Sequence, residues 1–129
     1  MNRSDFQDIA NLRLKEAKVL LENECYYGAY YITGYVVECA LKACIAKRTK
    51  QYEFPDKRIV NRIYTQNLLE LINVLGVFVP SELETNWAVV KDWSEHDRYR
   101  KHSLEEAYNI YEAVTDSENG VLQWLKGLW

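Results

Sequence analysis

Residues Tyr26 to Lys47 read YYGAYYITGYVVECALKACIAK, a helix-length apolar run interrupted by one charged pair at i,i+4 spacing, Glu38 and Lys42. Aromatic side chains crowd its first half and small ones its second. A run this hydrophobic predicts the central helix of a bundle. The charged pair then needs a reason, because ionised groups seldom enter a core unless something satisfies them. Together with a later cluster ending in Arg98, Tyr99 and His102, it marks where function is sought.

Working outward from that run, helix signals are frequent and strand signals nearly absent. Upstream, Ser4-x-x-Gln7 has the form of a capping box, opening a first helix to about Asn23. Phe6, Ala10, Ala17, Leu20 and Leu21 recur at three- and four-residue spacing and give it one buried stripe. The second helix is expected over about Tyr26 to Arg48. Downstream, Thr49 to Tyr64 reads as a long polar connection with a turn at Glu53-Phe54-Pro55-Asp56. A short helix starts near Thr65 and is stopped by Gly76. Pro80-Ser81-x-x-Glu84 is read as a second capping box, opening a helix through Trp87 and Val90, and Ser103-x-x-Glu106 as a third. The last helix breaks or bends between Asp116 and Gly120. The fold expected is a single all-α domain over residues 1–129, an antiparallel up-and-down bundle of about five helices.

With 129 residues, 48% hydrophobic and 27% charged, the chain has the composition of one globular domain. Its N-terminus is too polar for a signal peptide, and its longest apolar stretch is too interrupted for a membrane span, so the cytoplasm is the expected location. Cys25, Cys39 and Cys44 lack CxxC spacing, and on a helix Cys39 and Cys44 point away from each other. They read as structural thiols. Two histidines without an acid–histidine helical pair make no metal shell, and neither metal nor cofactor is expected.

The net charge of −3 conceals a basic segment. Between Lys42 and Arg62 seven basic residues (Lys42, Lys47, Arg48, Lys50, Lys57, Arg58, Arg62) face only Glu53 and Asp56. Such a segment either offsets a helix C-terminal dipole or offers phosphates a local attraction.

Three pieces in order now look familiar: AKVLLENECYYGAYYITGYVVECALKACIAK, NLLELINVLG and HDRYRKHSLEEAY. The combination, with Glu38 and Lys42 in place, resembles the HEPN domain, a family of nucleotide-binding helical bundles, over nearly the whole chain. The resemblance implies an antiparallel bundle that is usually a homodimer. Many members are encoded beside a minimal nucleotidyltransferase as toxin–antitoxin pairs. Others are metal-independent ribonucleases with an Arg-x4–6-His motif at the dimer interface. Here Arg98 and His102 have only three residues between them, Tyr99, Arg100 and Lys101.

Metal-free RNA cleavage needs a base near neutral pKa, for which His102 is the candidate, and a fixed cation, for which Arg98 is. Arg100 and Lys101 would add charge, and Glu38 would orient Arg98 through a bidentate pair. The plainer alternative makes Arg98 and Glu38 a structural ion pair, Tyr99 a core residue and His102 a solvated one. His96 is expected to be exposed. Tyr27, Tyr31 and Tyr35 share one helix face and Tyr26 and Tyr30 another, which suits a helix packed inside its protomer and against a second copy. Three functions remain open at this stage. One is a binding module for a nucleotide, RNA or nucleotidyltransferase partner. The others are a ribonuclease toxin and a ligand-free oligomerisation bundle.

Overall fold

The computed structural model describes residues 1–51 and 64–129, with side chains up to Thr49 in the first segment. Six α-helices are present among them: α1 (Arg3–Glu22), α2 (Tyr26–Gln51), α3 (Leu68–Leu75), α4 (Glu84–Val90), α5 (Leu104–Thr115) and α6 (Val121–Lys126). Two 3-10 turns, Ser81–Leu83 and Glu95–Tyr99, sit before and after α4. The turn expected at Glu53–Asp56, and Lys57, Arg58 and Arg62 of the basic segment, lie outside the described residues.

Helix α2 is the axis of the bundle, in contact with α1, α3, α5, α6 and the second 3-10 turn. From Thr33 to Ile45 all its residues are buried except Tyr35 and Lys42, which are half-buried. A helix surrounded by neighbours has no solvent face, which is why its sequence is apolar nearly all round. Val36, Val37, Leu41 and Cys44 meet Leu68 and Leu71 of α3, Ile110 and Val114 of α5, and Val121 and Leu125 of α6 in one core. Each such side chain contributes on the order of 1.5–3 kcal/mol when fully buried. The buried Thr33 hydroxyl is satisfied locally, donating to the Ala29 carbonyl at 2.7 Å.

Gly34 makes the tightest approach. A Cβ there would lie 2.2 Å from the Trp93 indole, so only glycine lets Trp93 lie flat on α2. Trp93 is fully buried, and it anchors the chain one residue before the Glu95–Tyr99 turn and its Ser94 cap.

Some helix ends differ from those expected. Helix α1 is capped by Asn2, not Ser4: Asn2 Oδ1 accepts from Asp5 N at 2.9 Å, and Asp5 Oδ2 accepts from Asn2 N at 2.9 Å. The extended Asn2 supplies the non-helical backbone that a cap needs, and Ser4 lies inside the helix. Ser81 does not cap either. It opens a 3-10 turn that runs into α4, and no side chain caps that turn or α4. Ser103 forms the box expected with Glu106, and Gly76, at φ 73°, ends α3 as a left-handed cap. The break before α6 is fastened by Asp116 Oδ1, which accepts from Glu118 N and Asn119 N and so holds its own carboxyl below the usual range. That break turns the single last helix into α5 and α6.

Candidate functional site

The polar residues collect where α2 meets the Glu95–Tyr99 turn and the start of α5. Ser94 opens that turn, its hydroxyl accepting from His96 N at 3.3 Å while Asp97 Oδ2 accepts from Ser94 N at 2.9 Å. With three residues per turn, a 3-10 helix points consecutive side chains in widely different directions. Here Asp97 faces inward, only 3% exposed, while Arg98 and Tyr99 face outward, Tyr99 at 80%.

His102 is held from three sides and is 7% exposed. Its ring stacks on Tyr30, with centroids 3.6 Å apart and planes 11° from parallel. Nδ1 lies 3.1 Å from Glu106 Oε2, one helical turn on. Nε2 lies 3.2 Å from Asp97 Oδ1, a charge contact whose angle falls short of a hydrogen bond. The His102 contact, followed by the Ser103 backbone N–H, holds the Glu106 carboxyl below its ordinary value. Burial beside Asp97 and Glu106 pushes the Tyr30 phenol up to about 12. The solvated His102 of the plainer alternative is therefore corrected, and so is its core Tyr99.

Glu38 and Lys42 are joined to each other. Lys42 Nζ donates to Glu38 Oε2 at 2.9 Å, and Glu38 is almost fully buried. Desolvation pushes the Glu38 carboxyl above its ordinary value, and Lys42 opposes this through its hydrogen bond and charge. Glu38 Oε1 has no hydrogen-bond partner among the described residues. The expected bidentate Glu38–Arg98 pair does not form. Arg98 instead donates from Nη2 to the Tyr31 hydroxyl at 2.9 Å, with its guanidinium 5.3 Å from the Tyr31 ring centre and 5.9 Å from that of Tyr99. Arg98 prefers this place because an exposed aromatic ledge takes a guanidinium without stripping its water. Its charge still draws the Glu38 carboxyl down, after the larger influences of burial, Lys42 and Glu95.

Arg100, Lys101 and His96 are exposed. Arg100, itself exposed, lies 3.6 Å from the buried Asp97 carboxylate, an ion pair longer than a hydrogen bond. Lys101 forms no ion pair among the described residues. A cleft of about 390 Å³ opens between the residues leading into α3 and the 3-10 turn, lined by Tyr64, Gln66, Glu95, His96, Arg98 and Tyr99 among others. In the basic segment, Arg48 donates to the Leu75 carbonyl at the end of α3. Burial pushes the Cys39 and Cys44 thiols up to about 11 and about 12, so both behave as small hydrophobes, whereas Cys25 is exposed. Among the described residues no group of His, Cys, Asp and Glu is arranged to hold a metal ion, and no helix is long and apolar enough to cross a membrane.

Of the expected site residues, Arg98, Tyr99, Arg100 and Lys101 share one outward edge, His102 lies buried behind it, and Glu38 with Lys42 lies deeper on α2. Sequence reasoning missed Asp97, Glu106, Tyr30 and Tyr31. The four-residue step from His102 to Glu106 was readable as a helical contact, and the other three depend on tertiary placement.

No curated protein and no solved structure matches the chain. The family model described as HEPN domain matches residues 4–128, essentially all of it. The all-helical bundle built round α2 agrees with that match, and the chain belongs to the HEPN domain family.

Proposed function

We propose that this protein is a binding module that engages RNA or a nucleotide through the edge formed by Arg98, Tyr99, Arg100 and Lys101. Membership of the HEPN family points to nucleotide- or RNA-related work. The observation that carries the reading is the exposure along this edge. A tyrosine 80% exposed stands beside three exposed cations, of which Arg100 alone has an ion pair, to Asp97 at 3.6 Å, among the described residues. Exposed aromatic faces and exposed cations are what single-stranded nucleic acid binds. Fluorescence anisotropy with a labelled single-stranded RNA tests it. Arg98→Ala/Lys101→Ala should weaken binding by about tenfold at low salt, since each phosphate contact is electrostatic. Equal affinity in the double variant would remove the proposal.

In the cell, the partner we propose for this module is a nucleotidyltransferase in a toxin–antitoxin pair, with the chain acting as a homodimer in the cytoplasm. Tyr27 of α2 and Leu12 and Val19 of α1 leave apolar surface on the outside of the first hairpin, which supports a self-association face. Light scattering at micromolar concentration reads the dimer, and co-purification of the native complex reads the partner.

One observation favours a second reading, a metal-independent ribonuclease with Arg98 as clamp and His102 as base. A carboxylate at Nδ1, here Glu106, is the kind of hold that orients a general base, leaving Nε2, beside Asp97, as the nitrogen that would take the proton. The ring would have to reach a 2′-hydroxyl, and Tyr30, Asp97 and Glu106 now cover it. EDTA-resistant cleavage leaving a 2′,3′-cyclic phosphate, lost in His102→Ala, would establish this reading over the first.

A further inference from the structure

We propose that the cleft between Tyr64–Gln66 and the Glu95–Tyr99 turn is a pocket for one unpaired, amino-bearing nucleobase, adenine or cytosine. The inference rests on the reading that this face binds RNA or a nucleotide, and adds which base it prefers. Three features of the cleft support it. First, its volume of about 390 Å³ falls within the range of ligand pockets, which begins at roughly 300 Å³. Second, two of its lining residues are tyrosines left 79% and 80% exposed, Tyr64 and Tyr99. Large aromatic rings kept out of the core, both lining one cleft, offer a base its stacking surface.

Third, the polar groups of the cleft are matched to an amine. Gln66 Oε1 is buried without a hydrogen-bond partner among the described residues, and an acceptor in that state carries a desolvation cost that a donor would relieve. Glu95 is the one carboxylate among the lining residues and a second acceptor. Adenine and cytosine each present an exocyclic amine beside a ring-nitrogen acceptor, which suits the paired carbonyl and amide of a glutamine. Uracil's matching edge has a single donor, N3–H, in place of that two-proton amine, and so serves only one of the two acceptors, Gln66 Oε1 and Glu95. Glu95 also repels phosphate, leaving that group to Arg98, the cation of the cleft, and to Arg100 and Lys101 along the same edge.

The test is anisotropy of the wild-type protein with fluorescein-labelled oligo(rA), oligo(rC), oligo(rU) and oligo(rI), the last replacing the adenine amine by a carbonyl. Oligo(rA) and oligo(rC) should bind about tenfold tighter than oligo(rU) and oligo(rI), the low end for a bidentate amide–base pair. Gln66→Leu, outside any helix, should erase that preference and leave oligo(rU) affinity within about twofold, because stacking tolerates any base. Equal binding of the four oligomers, or a preference that survives Gln66→Leu, would overturn the pocket while leaving the RNA-binding reading intact. Binding of none of them, even at low salt, would overturn both.

Discussion

Two polar spots lie within a few turns of each other in this molecule, and they are built on opposite terms. On α2, Glu38 and Lys42 are sunk in the core and satisfied by one another, at the cost of a carboxyl oxygen left without a partner among the described residues. On the Glu95–Tyr99 turn and the residues after it, Arg98, Arg100 and Lys101 stand exposed, Arg98 against the Tyr31 hydroxyl, Arg100 3.6 Å from Asp97 and Lys101 without an ion pair among the described residues. The buried pair leaves one acceptor open, Glu38 Oε1, deep on α2, whereas the exposed edge stands where a ligand can meet it. His102 lies close to the second in sequence and belongs with the first in physics. Polar character in the sequence therefore does not rank residues for ligand binding; exposure does.

The two spots are fastened together by Trp93 lying on Gly34. Gly34→Ala attacks that seat, because the new Cβ would fall 2.2 Å from a fully buried indole that has nowhere to move. Alanine is the better helix former by about 1 kcal/mol, so the overlap costs about that much more than the net loss shows. We expect a net destabilisation of about 3 kcal/mol, read by denaturant unfolding. A melt at or above the wild-type value would show that the turn is not held where Trp93 places it.

Next in size comes the buried pair. Lys42→Met strips the hydrogen bond that opposes burial of the Glu38 carboxylate, and should cost about 2 kcal/mol at neutral pH. Burial already holds the Glu38 carboxyl above its ordinary 4.5, so the folded state binds that proton more tightly than the unfolded chain. Such a group weakens folding as pH rises from 4.5 through the raised value. In Lys42→Met the shift is larger still, and the deficit should shrink as pH falls through that window. Replacing both residues, Glu38→Leu/Lys42→Met, should recover wild-type stability or exceed it. If the double variant is worse than the single, the pair has a role beyond satisfying itself.

His102→Ala is expected to cost about 1.5 kcal/mol, from the lost stack on Tyr30 and a buried Asp97 deprived of a neighbour. RNA affinity should stay within about twofold, because the ring is not on the binding edge. The opposite pattern, an unchanged melt with loss of EDTA-resistant cleavage, would move His102 from architecture to catalysis.

The fold was legible because α2 is buried on all sides, and such a helix writes its environment directly into its composition. The Ser103–Glu106 box and the Gly76 stop were equally plain, since each depends on one residue's local chemistry. Ser4 and Ser81 misled for the complementary reason. A capping residue needs an extended backbone as well as an oxygen, and the four-residue pattern does not report backbone. At the site, sequence proximity suggested that Arg98 and His102 act together and that Glu38 reaches Arg98. The three-residue period of the 3-10 turn puts Asp97 inside and Arg98 outside, and His102 lies buried between the Asp97 and Glu106 carboxylates. The ledge that receives Arg98 is Tyr31, 67 positions away, which no local spacing reveals.

The smallest effect on stability is expected where the effect on binding is largest. Arg98→Ala/Arg100→Ala removes two exposed side chains, one hydrogen-bonded to the Tyr31 hydroxyl and the other 3.6 Å from the Asp97 carboxylate, which keeps its bond from Ser94 N. Unfolding free energy should change by less than about 0.5 kcal/mol. If both guanidinium groups meet phosphate, the slope of log affinity against log salt should flatten by about 0.7 for each phosphate of the single strand left without its cation. Tyr99→Ala separates the remaining contribution, since stacking survives salt. It should lower affinity without altering the slope. Should Tyr99→Ala flatten the slope as the arginine variant does, the aromatic ring would be positioning the cations rather than touching a base. The edge would then be an electrostatic patch, and its distinction from the buried pair would rest on exposure alone.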